Sequence, residues 1–267
     1  MSTLAKTTLD RYRDQYNRLV GLIDSNEKFS VRKLAQRTYE MDLAPTTRKN
    51  YLNAILHFNP DEKKLIGKFI ERLLDEIENL PKLTDSQTMV LMDLKITDID
   101  TVINKIKKNK NFNLGDYTML WVHRNYAPRN DLMNVKISYK KPKDIKQNWL
   151  YIDKSKKEAH FIINTHKTSK RYGTLTWDAT DIYPELVEWS RDRDYYLTTS
   201  DGKPLDSSAY SHRLERIFKH YLPEYSITAN TLRKMTKSDK FGSGQEFLED
   251  CEMMGHSPQI ALEYYCH

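Results

Sequence analysis

The sequence predicts a mainly α-helical chain with a small antiparallel β-sheet near its middle, and three observations lead to that fold class. Apolar and aromatic residues recur at three- and four-residue spacing from residue 3 to about 80, and again beyond residue 181. Two short runs rich in strand formers, Trp149–Ile152 and Ala159–Ile163, flank the polar turn Asp153–Lys157. Between the first helical region and the rest lies Leu80-Pro81-Lys82-Leu83-Thr84-Asp85-Ser86, where a proline stops the preceding helix and polar residues follow.

The elements follow in order. Leu9, Tyr12, Tyr16, Leu19, Val20 and Ile23 mark a first helix, with Thr7 or Thr8 as its N-cap. Val31, Leu34 and Ala35 open a second. Tyr51, Leu52, Ile55 and Phe58, after Pro45, form a third. Leu65, Ile66, Phe69, Ile70, Leu73, Leu74 and Ile77 form a fourth. These four make an all-α bundle over residues 1–82, followed by a linker at 83–95 and a second domain at 96–267. In the second domain, helices are predicted at 96–107 and 116–123 and a three-stranded antiparallel ribbon at 149–176, with Lys167 at or beside a turn. Helices return at 181–191, 207–219, 231–237, 245–254 and 258–264; the last has Ser257 at N-cap and Pro258 at N1.

Composition narrows the class. At 267 residues the chain has length for one large domain or two smaller ones. Charged residues make up 30% and mean hydropathy is −0.75, without a long apolar run, so neither a membrane span nor a secretory signal core is expected. The two cysteines, Cys251 and Cys266, suit neither a disulfide scaffold nor a zinc site and fit a reducing compartment. That means the cytoplasm of a prokaryotic host, or the nucleus or viral factory of a eukaryotic one. The net charge of +6 is uneven: residues 133–175 hold eleven Lys/Arg against three Asp/Glu, whereas residues 176–267 hold ten against sixteen. Residues 1–58 are basic as well, ten against six. Two basic regions around a neutral connector suit a clamp on double-stranded DNA; a solvated lysine-rich hairpin explains the lysine run alone equally well.

Four short motifs carry the chemistry. They are Ala127-Pro128-Arg129-Asn130-Asp131-Leu132, Thr165-His166-Lys167-Thr168-Ser169-Lys170, Asn230-Thr231-Leu232-Arg233, and Met254-Gly255-His256-Ser257 with Tyr265 nine positions after the histidine. Two arginines and a protonated histidine can bind the non-bridging oxygens of a phosphodiester, a lysine can protonate the leaving oxygen, and a phenol can attack phosphorus. The order and spacing of these motifs resemble the tyrosine recombinases, the phage-integrase family, over the chain from about residue 90 to the end. The sequence departs from the family pattern at Pro128, before the first arginine, and at Asn230, where His or Lys is usual.

The resemblance implies an all-α, SAM-like core-binding domain followed by an α+β catalytic domain. It assigns Arg129, Lys167, Arg233 and His256 to transition-state stabilisation and proton transfer, Tyr265 to nucleophilic attack, and Asp131 and Asn230 to support. It implies a site-specific recombinase or integrase of a virus or mobile element, acting through a 3′-phosphotyrosine without metal, ATP or other cofactor, as a homo-tetramer on DNA. With two residues after Tyr265, an exchanged C-terminal segment would be very short or would lie elsewhere. Arg11, Arg13, Arg48, Lys49, Lys170 and Arg171 are candidate DNA contacts.

Each assignment has a plainer rival. Arg129 could form a structural pair with Asp131, and Arg233 could be a surface arginine at the start of a helix opened by Asn230 or Thr231. Lys167 competes with His166, Lys170 and Arg171 and could be a solvated turn lysine; Arg124 lies outside every motif. The spacing from His256 selects Tyr265 over Tyr264, which on a helix points about 100° away. Rival functions are a type IB topoisomerase, which shares the chemistry, and a non-catalytic DNA-binding descendant. A metal-dependent rolling-circle nuclease is excluded by the lack of a His-x-His pair.

Overall fold

Burial of the apolar stripes just described organises two separate cores. A computed structural model describes residues 6–23, 28–80, 84–109, 113–129 and 131–240, with side chains for all but 7 and 237–240. The chain divides into two compact units, residues 1–82 and 83–267.

In the first unit α1 (Lys6–Val20), α2 (Val31–Glu40), α3 (Pro45–Phe58) and α4 (Lys63–Glu78) pack around Leu19, Leu34, Ala35, Leu52, Ile55, Ile66 and Leu73. Helix α1 begins at Lys6, so Thr7 and Thr8 fall inside it instead of capping it. Ser30 caps α2 by accepting from the Lys33 amide at 3.4 Å. The proline at the start of α3 sits where a helix has no use for an N–H.

The second unit corrects the expected linker. Residues Asp85–Asp93 form helix α5, and Val90 is buried in the core of this unit. Thr84 is the N-cap, its hydroxyl accepting from the Gln87 amide at 3.3 Å, and Thr84-x-x-Gln87 is a capping-box spacing. Helix α6 (Ile96–Lys108) buries Ile96, Ile99, Val102, Ile103 and Ile106 along one face. The Asp98 carboxylate closes its first turn by accepting from the Lys95 amide at 2.7 Å.

Helix α7 (Leu114–Tyr126) runs through the middle of the unit. Asn113 caps it, and Gly115, Tyr117, Thr118, Met119, Leu120, Val122 and His123 are all buried. Next come β1 (Val135–Ser138), β2 (Asn148–Asp153), β3 (Glu158–Ile163), the short helix α8 (Ser169–Tyr172) and β4 (Leu175–Asp178). Helices α9 (Tyr183–Trp189), α10 (Ser207–Tyr221) and α11 (Ala229–Lys240) complete the described part; the helices expected at 245–254 and 258–264 lie outside it.

The sheet has four strands in the order β1-β2-β3-β4 and is mixed, where a three-stranded antiparallel ribbon was expected. Strand β1 lies parallel to β2, while β2–β3 and β3–β4 are antiparallel. The extra strand is short, and its other edge is occupied by residues 194–196: the Ile137 amide donates to Asp194 and Val135 accepts from Tyr196. A four-residue strand gives too little alternation to stand out, and its parallel partner arrives only after a nine-residue return loop. Along β2 the inward positions are Asn148, Leu150 and Ile152, and along β3 they are Ala159, Phe161 and Ile163. No helix of the described residues is long and apolar enough to cross a membrane.

One glycine marks how closely α7 is packed. A Cβ at Gly115 would collide with the Trp189 ring and stand 2.6 Å from the Arg213 guanidinium. Neither neighbour can yield easily: the Trp189 indole donates to the Tyr196 carbonyl at 2.6 Å, and Arg213 pairs with Asp116 at 2.6 Å. Gly115→Ala is therefore expected to destabilise the protein by about 1–3 kcal/mol through overpacking, well beyond the small gain in helix propensity. Chemical denaturation of the two proteins side by side measures it.

Candidate active site

The first arginine is placed by the way α7 ends. Ala127 takes a left-handed conformation (φ 45°), its amide donates to the His123 carbonyl at 3.0 Å, and Pro128 then prevents another helical turn. Arg129 follows at once, half-buried, and its amide donates to the Asp131 carboxylate at 3.0 Å. Asp131 thus holds the backbone turn that carries Arg129.

Lys167 lies in the turn between β3 and α8 and is exposed. This turn is closed by His166, one ring nitrogen meeting the Gly173 carbonyl at 2.8 Å and the other the Thr168 hydroxyl at 3.2 Å. Gly173, at φ 66°, allows the return into β4.

Arg233 differs from the surface residue considered above: it is 3% exposed and lies two residues further into its helix than expected. Helix α11 starts at Ala229, with the Thr228 hydroxyl accepting from the Thr231 amide at 3.2 Å. Asn230 therefore sits in the first turn, exposed, rather than at the cap. Beneath Arg233 lies a buried pair the sequence did not reveal, His123 and Tyr210, with Nε2 and the phenol oxygen 2.6 Å apart. Burial, and then the nearby charge of Arg233, push the His123 imidazole down to about 3. Burial likewise raises the Tyr210 phenol well above its ordinary value, with Tyr196 and Asp131 adding to it.

These elements converge on one cleft of about 650 Å³. Its walls include Arg129 and Asp131 after α7, Thr165 and Lys167 from the turn after β3, and Asn230 and Arg233 from α11, with Asn148 at the head of β2. Among the described residues three cations thus face a single carboxylate, a balance that favours an anion, and the first turn of α11 adds its helix N-terminus to that preference. Among the described residues no group of three or more His, Cys, Asp or Glu side chains is placed to hold a metal ion. His256 and Tyr265 lie outside the described residues.

The other expected contacts fall in several environments. Arg11 and Arg13 are exposed on α1, and Lys170 and Arg171 are exposed on α8. Lys49 is half-buried on α3. Arg48 is engaged inside the bundle: its guanidinium donates to the Tyr39 carbonyl at 2.7 Å and to Glu76 at 2.6 Å, tying α2, α3 and α4 together. Its charge suggested a phosphate contact, but its partner lies 28 residues away and was invisible in the local sequence. Arg124 pairs with Asp100 at 2.8 Å, away from the cleft. Strand β2 begins at Asn148, one residue before the run of strand formers at Trp149–Ile152. Extending the alternation back one inward step, from Ile152 through Leu150, puts the Asn148 amide on the core face.

No family model matches the chain, and no curated protein matches it in sequence. Solved structures do. The Tn1549 transposon integrase in complex with transposon right-end DNA superposes with a TM-score of 0.63 at 14% identity, over 100% of this chain and 91% of that one. The XerH site-specific recombinase bound to a palindromic difH substrate gives 0.56 at 15% identity, over 97% and 75%. A lambda integrase dimer bound to a COC′ core site gives 0.50 at 14%, over 98% and 89%.

The buried histidine sets a pH dependence. The unfolded chain titrates His123 near 6.5, whereas the folded chain keeps it neutral down to about 3. Between those values the unfolded state binds the extra proton, so this part of the stability is complete above about pH 6.5 and is lost as pH falls. The unfolding free energy should drop by on the order of 1 kcal/mol per pH unit below about pH 6. His123→Gln should reduce that slope, as read by urea midpoints from pH 7 to 4.5; an unchanged slope would refute the assignment. At 14–15% identity the likeness to solved structures is one of architecture, and that architecture is the fold of the tyrosine recombinases.

Proposed function

We propose that this protein is a site-specific DNA recombinase that cleaves and rejoins strands through a covalent phosphotyrosine. The observation that carries this reading is the convergence of Arg129, Lys167 and Arg233 from three distant stretches of chain into one cleft on this fold. Solved relatives in fold include an integrase on transposon-end DNA and a recombinase on its difH substrate, so double-stranded DNA is the partner the fold suggests.

In the proposed reaction the Tyr265 oxygen, its proton released to solvent, attacks the scissile phosphorus as the bond to the 5′-oxygen breaks. The products are a 3′-phosphotyrosine and a free 5′-hydroxyl. Arg129, Arg233 and His256 neutralise the non-bridging oxygens as charge builds, and Lys167 gives its proton to the departing oxygen. Attack by a 5′-hydroxyl on the phosphotyrosine reverses these transfers and reseals a strand, so phosphodiester energy is kept in the covalent bond. Buried Arg233 is well suited to such a role, because a fixed cation in a low-dielectric wall needs no reorganisation when the transition state forms. Four subunits joining two duplexes, and service to a virus or other mobile element, complete the proposal.

Nicked duplexes recovered from a randomised pool by covalent trapping supply the test. The wild-type protein is expected to yield a 3′-linked adduct, insensitive to EDTA, whose peptide maps to Tyr265. Tyr265→Phe should abolish it and Tyr264→Phe should retain it; an adduct on Tyr264 would move the nucleophile by one residue. Arg129→Ala and Arg233→Ala should each slow cleavage by several orders of magnitude while weakening binding little, because their contacts strengthen in the transition state. A metal requirement for cleavage would exclude the mechanism.

Basic surface in both units also predicts a steep salt response. Affinity for a bound duplex should fall by roughly 10³-fold or more between 50 and 200 mM salt if six or more phosphates are contacted. A flat response in a gel-shift titration would count against extensive backbone contact.

A further inference from the structure

The Asn148 side chain makes four hydrogen bonds on the wall of the cleft, and none of the motifs includes it. It is 5% exposed and stands at the first inward position of β2, where the next two inward residues are Leu150 and Ile152. A polar side chain on the core face of a strand costs stability unless every polar atom is satisfied, and here each is. The oxygen accepts from the Thr165 amide at 2.7 Å and from the Thr165 hydroxyl at 3.0 Å. The nitrogen donates to the Thr165 carbonyl at 3.0 Å and to the Asp131 carbonyl at 3.3 Å. Two N–H donors and two lone pairs are thereby used. The backbone donor at Thr165 fixes which end of the amide is oxygen.

The two segments so joined are the turn that carries Lys167 and the turn that carries Arg129. Neighbouring amides reinforce the join: Asn164 donates to the Gln147 carbonyl at 2.7 Å, and Gln147 donates to the Asn134 carbonyl at 2.5 Å. We infer that Asn148 is a positioning residue for strand cleavage, one that sets the Lys167 turn at a fixed distance from the Arg129 turn so that the lysine reaches the leaving oxygen. The inference rests on the strand-cleavage reading above. Lys167 needs such a device because it lies on an exposed turn, and a proton donor must come within hydrogen-bond reach of the oxygen it protonates. Arg129 and Arg233 sit on or beside buried helices and depend on it far less.

A positioning role for the proton donor predicts a dependence on leaving group that a merely structural role does not. A 5′-bridging sulfur leaves as a thiolate and requires no proton, so cleavage at such a linkage bypasses the lysine. Asn148→Ala should slow adduct formation on the ordinary oxygen-linked nicked duplex by about 100-fold, the scale of lost general acid catalysis or of misplacement by about an ångström. On the sulfur-linked duplex of the same sequence it should stay within about threefold of wild type, the small margin left when no proton transfer is needed.

Thr165→Val removes only the hydroxyl bond to Asn148 from an exposed residue, and it covers the case in which Asn148→Ala fails to fold. It should show a smaller loss on the oxygen substrate, with the same recovery on sulfur. Equal losses on both substrates would overturn the inference and leave Asn148 as a packing residue; so would full activity of both variants on the oxygen substrate. A wild-type protein that forms no adduct on either substrate would overturn the strand-cleavage reading itself. The inference about Asn148 fails alone only where wild type cleaves.

Discussion

The burial of α7 is the constraint on which the cleft depends. Most helices of this size present one apolar stripe, but α7 is enclosed on several sides, with α6, α9 and α11 all packed against it. Enclosure limits what its sequence can contain. Gly115 leaves room for Trp189, and Thr118 folds its hydroxyl back onto the Leu114 carbonyl at 2.9 Å while accepting from Tyr196 at 2.9 Å. With its axis fixed in this way, the left-handed stop at Ala127 launches Arg129 from a defined point. Helix α11 packs on the same helix, so Arg233 inherits its position from the same source: the Thr236 hydroxyl donates to the His123 carbonyl at 3.4 Å.

The electrostatics of the cleft then follow from what lies below it. A positively charged histidine under Arg233 would add repulsion to desolvation, and both effects act on His123 to keep it neutral. Its contact with Tyr210 is consequently a bond between two uncharged groups, and the positive charge is confined to the side chains that line the opening. Gathering Arg129, Lys167 and Arg233 around one space is unfavourable in isolation and would become favourable with an anion between them, such as the phosphate of the proposed reaction. Under the proposed function the site is arranged for the anion it would bind, and the stability of the surrounding helices offsets the repulsion in its absence.

How much of this was legible depended on the range over which each signal acts. The helices of both units declared themselves by local periodicity, and the Arg129, Lys167 and Arg233 motifs by residue type and order. Helix α5 also left a local trace, Thr84-x-x-Gln87, which the neighbouring Pro81 and the polar composition outweighed. Strand β1 was missed because four residues carry little alternation and its parallel pairing is made across a return loop. The two structural details that escaped, the His123–Tyr210 pair and the four bonds of Asn148, join residues 87 and 17 positions apart. The alternation with Leu150 and Ile152 can place Asn148 on the core face, but nothing in a window of ten residues shows that Thr165 and Asp131 are its partners. Arg48 shows the same limit: a basic residue at the head of a helix reads as a phosphate contact, and the Glu76 carboxylate that the fold brings beside it lies 28 residues away.

The cleft is thus assembled by two means of unequal rigidity. Arg129 and Arg233 are located by helix packing, which is collective and can be shifted only by moving a whole element. Lys167 is located by a handful of side-chain hydrogen bonds at the edge of a sheet. Each of those bonds contributes on the order of 1 kcal/mol, so the turn is held by fewer and more local contacts than the helices. That division suits the proposed chemistry. The groups that stabilise charge must be fixed before the reaction begins, since reorganising them would forfeit their advantage. The group that gives up a proton must instead meet an oxygen that departs in one direction and returns in the other. A lysine on a braced turn, with a flexible stem beyond a fixed backbone, can follow that oxygen without disturbing the arginines behind it.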